Sequence, residues 1–400
     1  MNNMSKIIIF VLVLHFNIRA MEELKEREEA PSALVEKINA YRSESLEQYL
    51  IKDLSNLVQQ YIPIKDKWKC IRTINNANNN TPVICVFKNK LAFTSSYNTI
   101  KIWDNNINKC IAELRGHNDY IITLCLLPGN YLASGSVDGT IKIWNLDKNK
   151  YVYTLADHTT GAEALCLLPR NKLACAFTDN TIQIWDLNTK EYVTTLKDHT
   201  NYAYANTLCL VTRDKLASGS NYGIIKIWDL KTNECIATLE GHKDAVDAIC
   251  LLPENKLASA SLDGTIKIWD LKTNKCIATL QGHTETVNAS CILPRNKLAS
   301  GSWDGAIKIW DLKTNTCIDT LRGHTSGVKV LCPLLRNNKL FLVSGSLDNS
   351  IKIWSNEAVL TDSPDREFDR IMHEKESIEN AWIKNPDKSL YSNLPNCIIS

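Results

Sequence analysis

The sequence predicts an all-β chain built from seven copies of one four-stranded unit, and three observations predict it. The dipeptide Ile-Trp recurs with its tryptophan at Trp103, Trp144, Trp185, Trp228, Trp269, Trp310 and Trp354, at intervals of 41 to 44 residues. Between these tryptophans, short β-rich runs such as CLLP, KLASGS, TIKIW and KCIATL alternate with turn signals such as Asp-Gly and Lys-Thr-Asn. Cysteines keep the same period, at Cys235, Cys250, Cys276, Cys291, Cys317 and Cys332. A fixed period of this length marks a repeat architecture, in which each unit buries its apolar face against the next.

Taken in order, the chain opens with Lys6 followed by an apolar run from Ile7 to Leu14 and a polar stretch ending at Ala20. Residues 1–20 match a secretory signal, and the run is too short for an ordinary membrane span. Cleavage, retention as an anchor and burial as a core segment are all open to it. Residues 21–64 form a helical segment by pattern: Leu50, Leu54, Leu57, Val58 and Tyr61 lie on one stripe, and Pro63 is the stop. The repeat domain occupies residues 65–356. An irregular or partly helical tail, 357–400, ends in Cys397-Ile398-Ile399-Ser400, a C-a-a-X lipidation pattern.

A chain of 400 residues with 44% hydrophobic and 22% charged residues has ample material for a large core. Its net charge of +2 and the lack of any basic block give no footprint for nucleic acid. Of the fourteen cysteines, the series from Cys235 to Cys332 alternates between two fixed places in the repeat, on its first and last strands. If those strands are opposite edges of one sheet, the sulfurs stand about 14 Å apart, beyond disulfide reach, and are expected as buried free thiols. With no C-x-x-C spacing, neither a metal nor any other cofactor is expected.

Gly282-His283, the run Leu298-Ala299-Ser300-Gly301-Ser302-Trp303-Asp304-Gly305 and the closing Trp310-Asp311 resemble the WD40 repeat family, over residues 69 to about 356. The resemblance implies a seven-bladed β-propeller, with each sequence repeat offset from a blade in space. The seventh repeat ends on its third strand at Trp354, while residues 69–74 read KCIRTI, like the fourth strand of later units. That N-terminal strand is expected to close the ring as the outer strand of blade seven and to cover a free edge. The alternative is an eighth, degenerate unit.

The family also implies structural tetrads, hydrogen-bonded from Trp through Ser and His to Asp. The positions are His117, Ser136, Asp138 and Trp144; His242, Ser261, Asp263 and Trp269; His283, Ser302, Asp304 and Trp310; and His324, Ser346, Asp348 and Trp354. Four copies argue against one catalytic triad. The pattern decays elsewhere: Phe177 stands for the serine of blade three, Tyr222 for the aspartate of blade four, and Tyr97 for that of blade one. Blades one, three and four are therefore expected to be the least rigid. Lysines recur at Lys101, Lys142, Lys226, Lys267, Lys308 and Lys352, either as a cation ring or as solvated strand residues whose stems cover apolar surface.

No residue is nominated for catalysis, so the expected function is a non-catalytic protein-interaction scaffold that acts as a monomer on other proteins. The residue before each tetrad aspartate lies on the family's ligand-facing side, which makes Leu262, Trp303 and Leu347 an apolar arc, with Val137 further round. Tyr120, Asp247, Asn288 and Lys329 occupy nearby entry loops. Residues 50–63 also resemble the first helix of an F-box, which implies a substrate receptor for a ubiquitin ligase. The N-terminal signal points to export, whereas a lipid on Cys397 requires a eukaryotic or host cytosol and gives only a weak membrane anchor.

Overall fold

The structure, a computed structural model, describes residues 68–75, 83–96, 98–197, 204–294, 296–336 and 339–356. The chain divides into a unit over Met1–Ile62 and one over Pro63–Ser400, and every described residue belongs to the second. The expected signal (1–20), helical segment (21–64), tail (357–400), Tyr97 and Cys397 lie outside the described residues.

Among the described residues there are 28 strands and no helix. They form seven antiparallel four-stranded sheets. Blade five is representative: Val246–Leu252 is innermost, followed by Lys256–Ser261, Ile266–Asp270 and, outermost, Lys275–Leu280. β-Branched and aromatic side chains favour these pleated runs, and left-handed asparagines such as Asn274 (φ 56°) turn the chain between the last two strands. Each innermost strand touches that of the next blade, and the innermost strand of blade seven touches that of blade one, so the sheets stand in a ring around a channel.

Blade seven takes its outermost strand from the other end of the repeat domain. Trp68–Asn75 pairs antiparallel with Ser350–Asn356, Cys70 facing Trp354 and Ile74 facing Ile351. The pairing reproduces a contact made elsewhere: Lys352 Nζ donates to Thr73 Oγ1 at 3.1 Å, as Lys142 does to Thr154, Lys267 to Thr279 and Lys308 to Thr320. These third-strand lysines thus reach along their own sheet to the outer strand, the solvated-strand arrangement.

The core is divided into slabs between neighbouring blades. One slab packs Ile266, Ile268 and Leu280 of blade five against Val287, Leu298 and Trp310 of blade six. Another joins blades seven, one and two through Ile353, Ile102 and Trp144. Each fully buried aliphatic side chain contributes about 1.5–3 kcal/mol, so inter-blade burial dominates the fold.

Two bulges recur in the sheets. On all seven outermost strands the register slips beside the blade's tryptophan, and the extra residue is Ile71, Ile111, Val152, Val193, Ile236, Ile277 or Ile318. These seven side chains are 38% to 56% exposed. In blades two to seven the innermost strand carries a second bulge, whose extra residue is Ile122, Glu163, Asn206, Asp247, Asn288 or Lys329. A bulge re-aims the side chain it carries.

The thiols require a correction. All thirteen described cysteines are free, but only the innermost-strand set is buried as a group; Cys70, Cys110, Cys276 and Cys317 on the outermost strands are exposed. No strand lies beyond them to cover the sulfur, which donates instead to the carbonyl two residues on, as Cys276 does to Ala278 at 3.3 Å.

Candidate functional site

The polar chain inside blade five runs from Trp269, whose Nε1–H donates to Ser259 Oγ at 2.8 Å. Ser259 Oγ lies 2.7 Å from His242 Nε2, and His242 Nδ1 lies 2.8 Å from Asp263 Oδ2. Blades two, six and seven repeat it through Ser134, Ser300 and Ser344. The linking serine is thus two residues before the expected Ser136, Ser261, Ser302 and Ser346. Strand register explains the correction: Leu257 faces Trp269, which leaves Ser259 one diagonal step away and Ser261 about 13 Å along the strand. Ser261 instead donates to the Asp244 carbonyl at 2.9 Å and accepts the Asp263 amide at 3.0 Å, pinning the entry loop to the tight turn. Ser136, Ser302 and Ser346 do the same with Asp119, Glu285 and Ser326.

Burial pushes the pKa of His117, His242, His283 and His324 below its ordinary value, against the pull of the aspartates Asp138, Asp263, Asp304 and Asp348. A neutral imidazole fits the chain: Nδ1–H donates to the carboxylate and Nε2 accepts the serine hydroxyl. Burial raises the pKa of Asp263, but the Thr265 hydroxyl, the Lys243 amide and His242 outweigh it and hold the carboxyl at about 2. With Ser259 0% exposed and bonded on both sides, the constellation has no free nucleophile and no approach for a substrate. Its work is structural.

The second group of functional candidates meets at the channel mouth, where the inner bulges aim their side chains. Asn206 Nδ2 donates to Asp247 Oδ1 at 3.1 Å, and Asn288 Nδ2 donates to Asp247 Oδ2 at 2.7 Å. Lys329 Nζ stands 3.8 Å from Asp247 Oδ2 and 5.6 Å from the centre of the Trp303 ring. Blades five and seven are not neighbours, so Lys329 reaches Asp247 across the channel. Glu163 faces the same space; burial raises its pKa first, and the charge of Asp247 adds to it.

Trp303 is 52% exposed at the lip. A Cβ on Gly327 would stand 3.2 Å from Trp303 Cγ and 3.3 Å from Leu347 Cδ1, so a bare glycine backbone lets both side chains lie against the blade-seven loop. Leu347 and Leu262 are half-buried, whereas Val137 and Tyr120, joined by a 2.9 Å backbone hydrogen bond, are exposed on blade two. The structure therefore joins Asp247, Asn288, Lys329, Trp303 and Leu347 into one patch and leaves Tyr120 and Val137 apart. Sequence reasoning missed Glu163 and Asn206. Their signal was periodicity, since they occupy the repeat position of Asp247, Asn288 and Lys329.

The family model described as WD domain, G-beta repeat matches residues 108–145, 149–186, 233–270, 274–311 and 315–355. Each match ends at or just after an Ile-Trp strand; the two repeats it passes over end at Trp103 and Trp228. A search of curated proteins gives no match. Five matched repeats and seven four-stranded blades in a ring place the chain in the WD40 repeat family, as a seven-bladed β-propeller.

Proposed function

We propose that the protein is a non-catalytic interaction scaffold whose protein partner docks on the face of the propeller that carries Trp303, Leu347 and the channel mouth. The observation that carries this reading is Trp303: a tryptophan half exposed at the lip of a channel, held by Gly327 and Lys329 rather than drawn into the core. Tryptophan in such a setting is enriched among the few residues that dominate binding energy. Tetrads whose serines and histidines are fully engaged support a scaffold over a hydrolase.

The test is affinity capture with the full chain and with Trp303→Ala, followed by identification of the retained proteins. Capture should fall about tenfold or more in the variant, the loss of a hot-spot contact, with the melting temperature within a few degrees of the parent. Equal capture by both proteins removes this face. The finer readings, a ubiquitin-ligase receptor through residues 50–63 and a lipid anchor at Cys397, rest on segments outside the described residues.

A further inference from the structure

The channel mouth holds more acceptors than donors. Asp247 and Glu163 bring two carboxylates from blades five and three, and Lys329 brings one ammonium from blade seven. Glu163 makes no hydrogen bond or ion pair among the described residues, although burial and Asp247 both act against its charge. Independently, Asn206 Oδ1 is buried in the same space without a donor, while its Nδ2 is committed to Asp247. Both Asp247 oxygens accept an amide N–H, so the acceptors left without a donor are the Glu163 carboxylate and the buried Asn206 Oδ1, and a buried acceptor of that kind costs about 1–3 kcal/mol.

The one cation present is held loosely. Lys329 Nζ lies 3.8 Å from the carboxylate, outside hydrogen-bond reach, and its side chain is 30% exposed. It sits between a carboxylate and the face of an indole, an arrangement that attracts cations in general rather than this lysine in particular. The pair is half-buried but long, and when Lys329 moves to water Asp247 keeps the Asn206 and Asn288 amides as partners.

We propose that the partner docking on this face presents a cationic side chain, arginine fitting best, which enters the mouth between Asp247 and Trp303 and displaces Lys329, the resident occupant of that seat. The inference rests on the docking face proposed above. A guanidinium has five N–H donors in a plane, enough to serve Asp247 and Glu163 together while stacking on Trp303; the ammonium of Lys329, 3.8 Å from Asp247, hydrogen-bonds neither. The displaced lysine stem remains against the ring edge, and its charge moves into solvent.

The experiment uses the full chain and N-acetyl-arginine methylamide as the probe, with the uncharged citrulline analogue as control. The Trp303 indole resonance is followed by NMR and assigned through Trp303→Phe. A saturable shift is expected with arginine and none with citrulline. Lys329→Met should bind the probe about threefold more tightly, and Glu163→Gln, which breaks no hydrogen bond of the free protein, about fivefold more weakly. No saturable shift, an equal response to citrulline, or weaker binding by Lys329→Met overturns the proposal. The probe needs no partner, so the two readings fail separately. An arginine response alongside unchanged capture by Trp303→Ala removes the docking face and keeps the seat; Trp303-dependent capture without an arginine response does the reverse.

Discussion

Blade five and blade three have the same strands and turns but different interiors. In blade five, Trp269 is buried and its indole N–H meets Ser259. In blade three, Cys175 stands at that serine's position, and Trp185 Nε1 is buried without an acceptor. Phe177 fills the place of Ser261, and His158 stacks on it at 4.3 Å, meeting Asp179 only through Nε2 at 3.5 Å. Blade one is similar, with Phe93 at the serine position and Trp103 Nε1 unpaired. Blade four keeps the 2.8 Å bond from Trp228 to Ser218 but carries an exposed Tyr222 in place of the aspartate. All three still form complete sheets. The apolar slabs and strand ladders therefore make the blade, and the tetrad only stiffens it.

The largest test of that ranking removes a strand and leaves every tetrad residue in place. Deleting residues 1–75 strips the outer strand from blade seven, whose tetrad is complete, and should lower the melting temperature by about 10 °C or more, whereas deleting 1–60 should not. Equal effects of the two deletions would mean that the ladder of blade seven does not need this strand. Next in size is Ser259→Ala, which leaves the Trp269 indole and His242 Nε2 without partners and should cost about 2–4 kcal/mol in chemical denaturation. Cys175→Ala, with no such partners to strand, should cost about 1 kcal/mol. Similar values would erase the distinction between complete and decayed blades.

Acid should act on the complete blades first. The tetrad histidines have lowered pKa values, so the unfolded chain takes up protons before the native one, and stability should decline as pH falls below about 6.5. Asp138, Asp263 and Asp348, held at about 2, add stability that is present above about pH 4 and is lost as pH falls from there toward 2. Melting temperatures should thus be flat above neutrality and fall in two stages below it, by a few degrees in the first; His242→Gln, which removes one of the four histidines, should shrink that first stage by about a quarter. The smallest effect is a gain. Cys175→Ser restores an acceptor to Trp185 at nearly constant volume and should add about 1 kcal/mol, or about 2 °C. No change would mean that water already serves that indole.

The comparison also explains what the sequence could carry. Strand number and order follow from the 41-residue period, because apolar patterning and turn residues act locally and repeat with the chain. The seven tryptophans marked the third strands, and each pairs as its position implied. The sequence reading puts Ser261 where Ser259 belongs because both stand on one face of the same strand, and only the register against Trp269 separates them. Glu163 and Asn206 carry only the period they share with Asp247, because a bulge breaks the alternation by which a side chain's direction is read, and nothing in Ala162-Glu163-Ala164 announces one. Which groups then meet across the channel depends on blades three, five and seven together, over separations that no local pattern spans.

The outer bulges carry a further consequence. A ring of blades has no end, yet each blade leaves one edge facing water, and all seven edges expose a β-branched side chain beside N–H and C=O groups. Straight edges of this composition would recruit one another, and concentrated protein would polymerise by strand addition. The slip beside each tryptophan puts one residue of every edge out of step with any flat strand that approaches. A docking chain could match the ladder on one side of the bulge or the other but not through it, which limits contact to two or three residues at a time. The rim thus limits growth by geometry, and this part of its protection should persist at high salt, where the share contributed by edge charges such as Lys69, Lys109 and Lys275 would be lost.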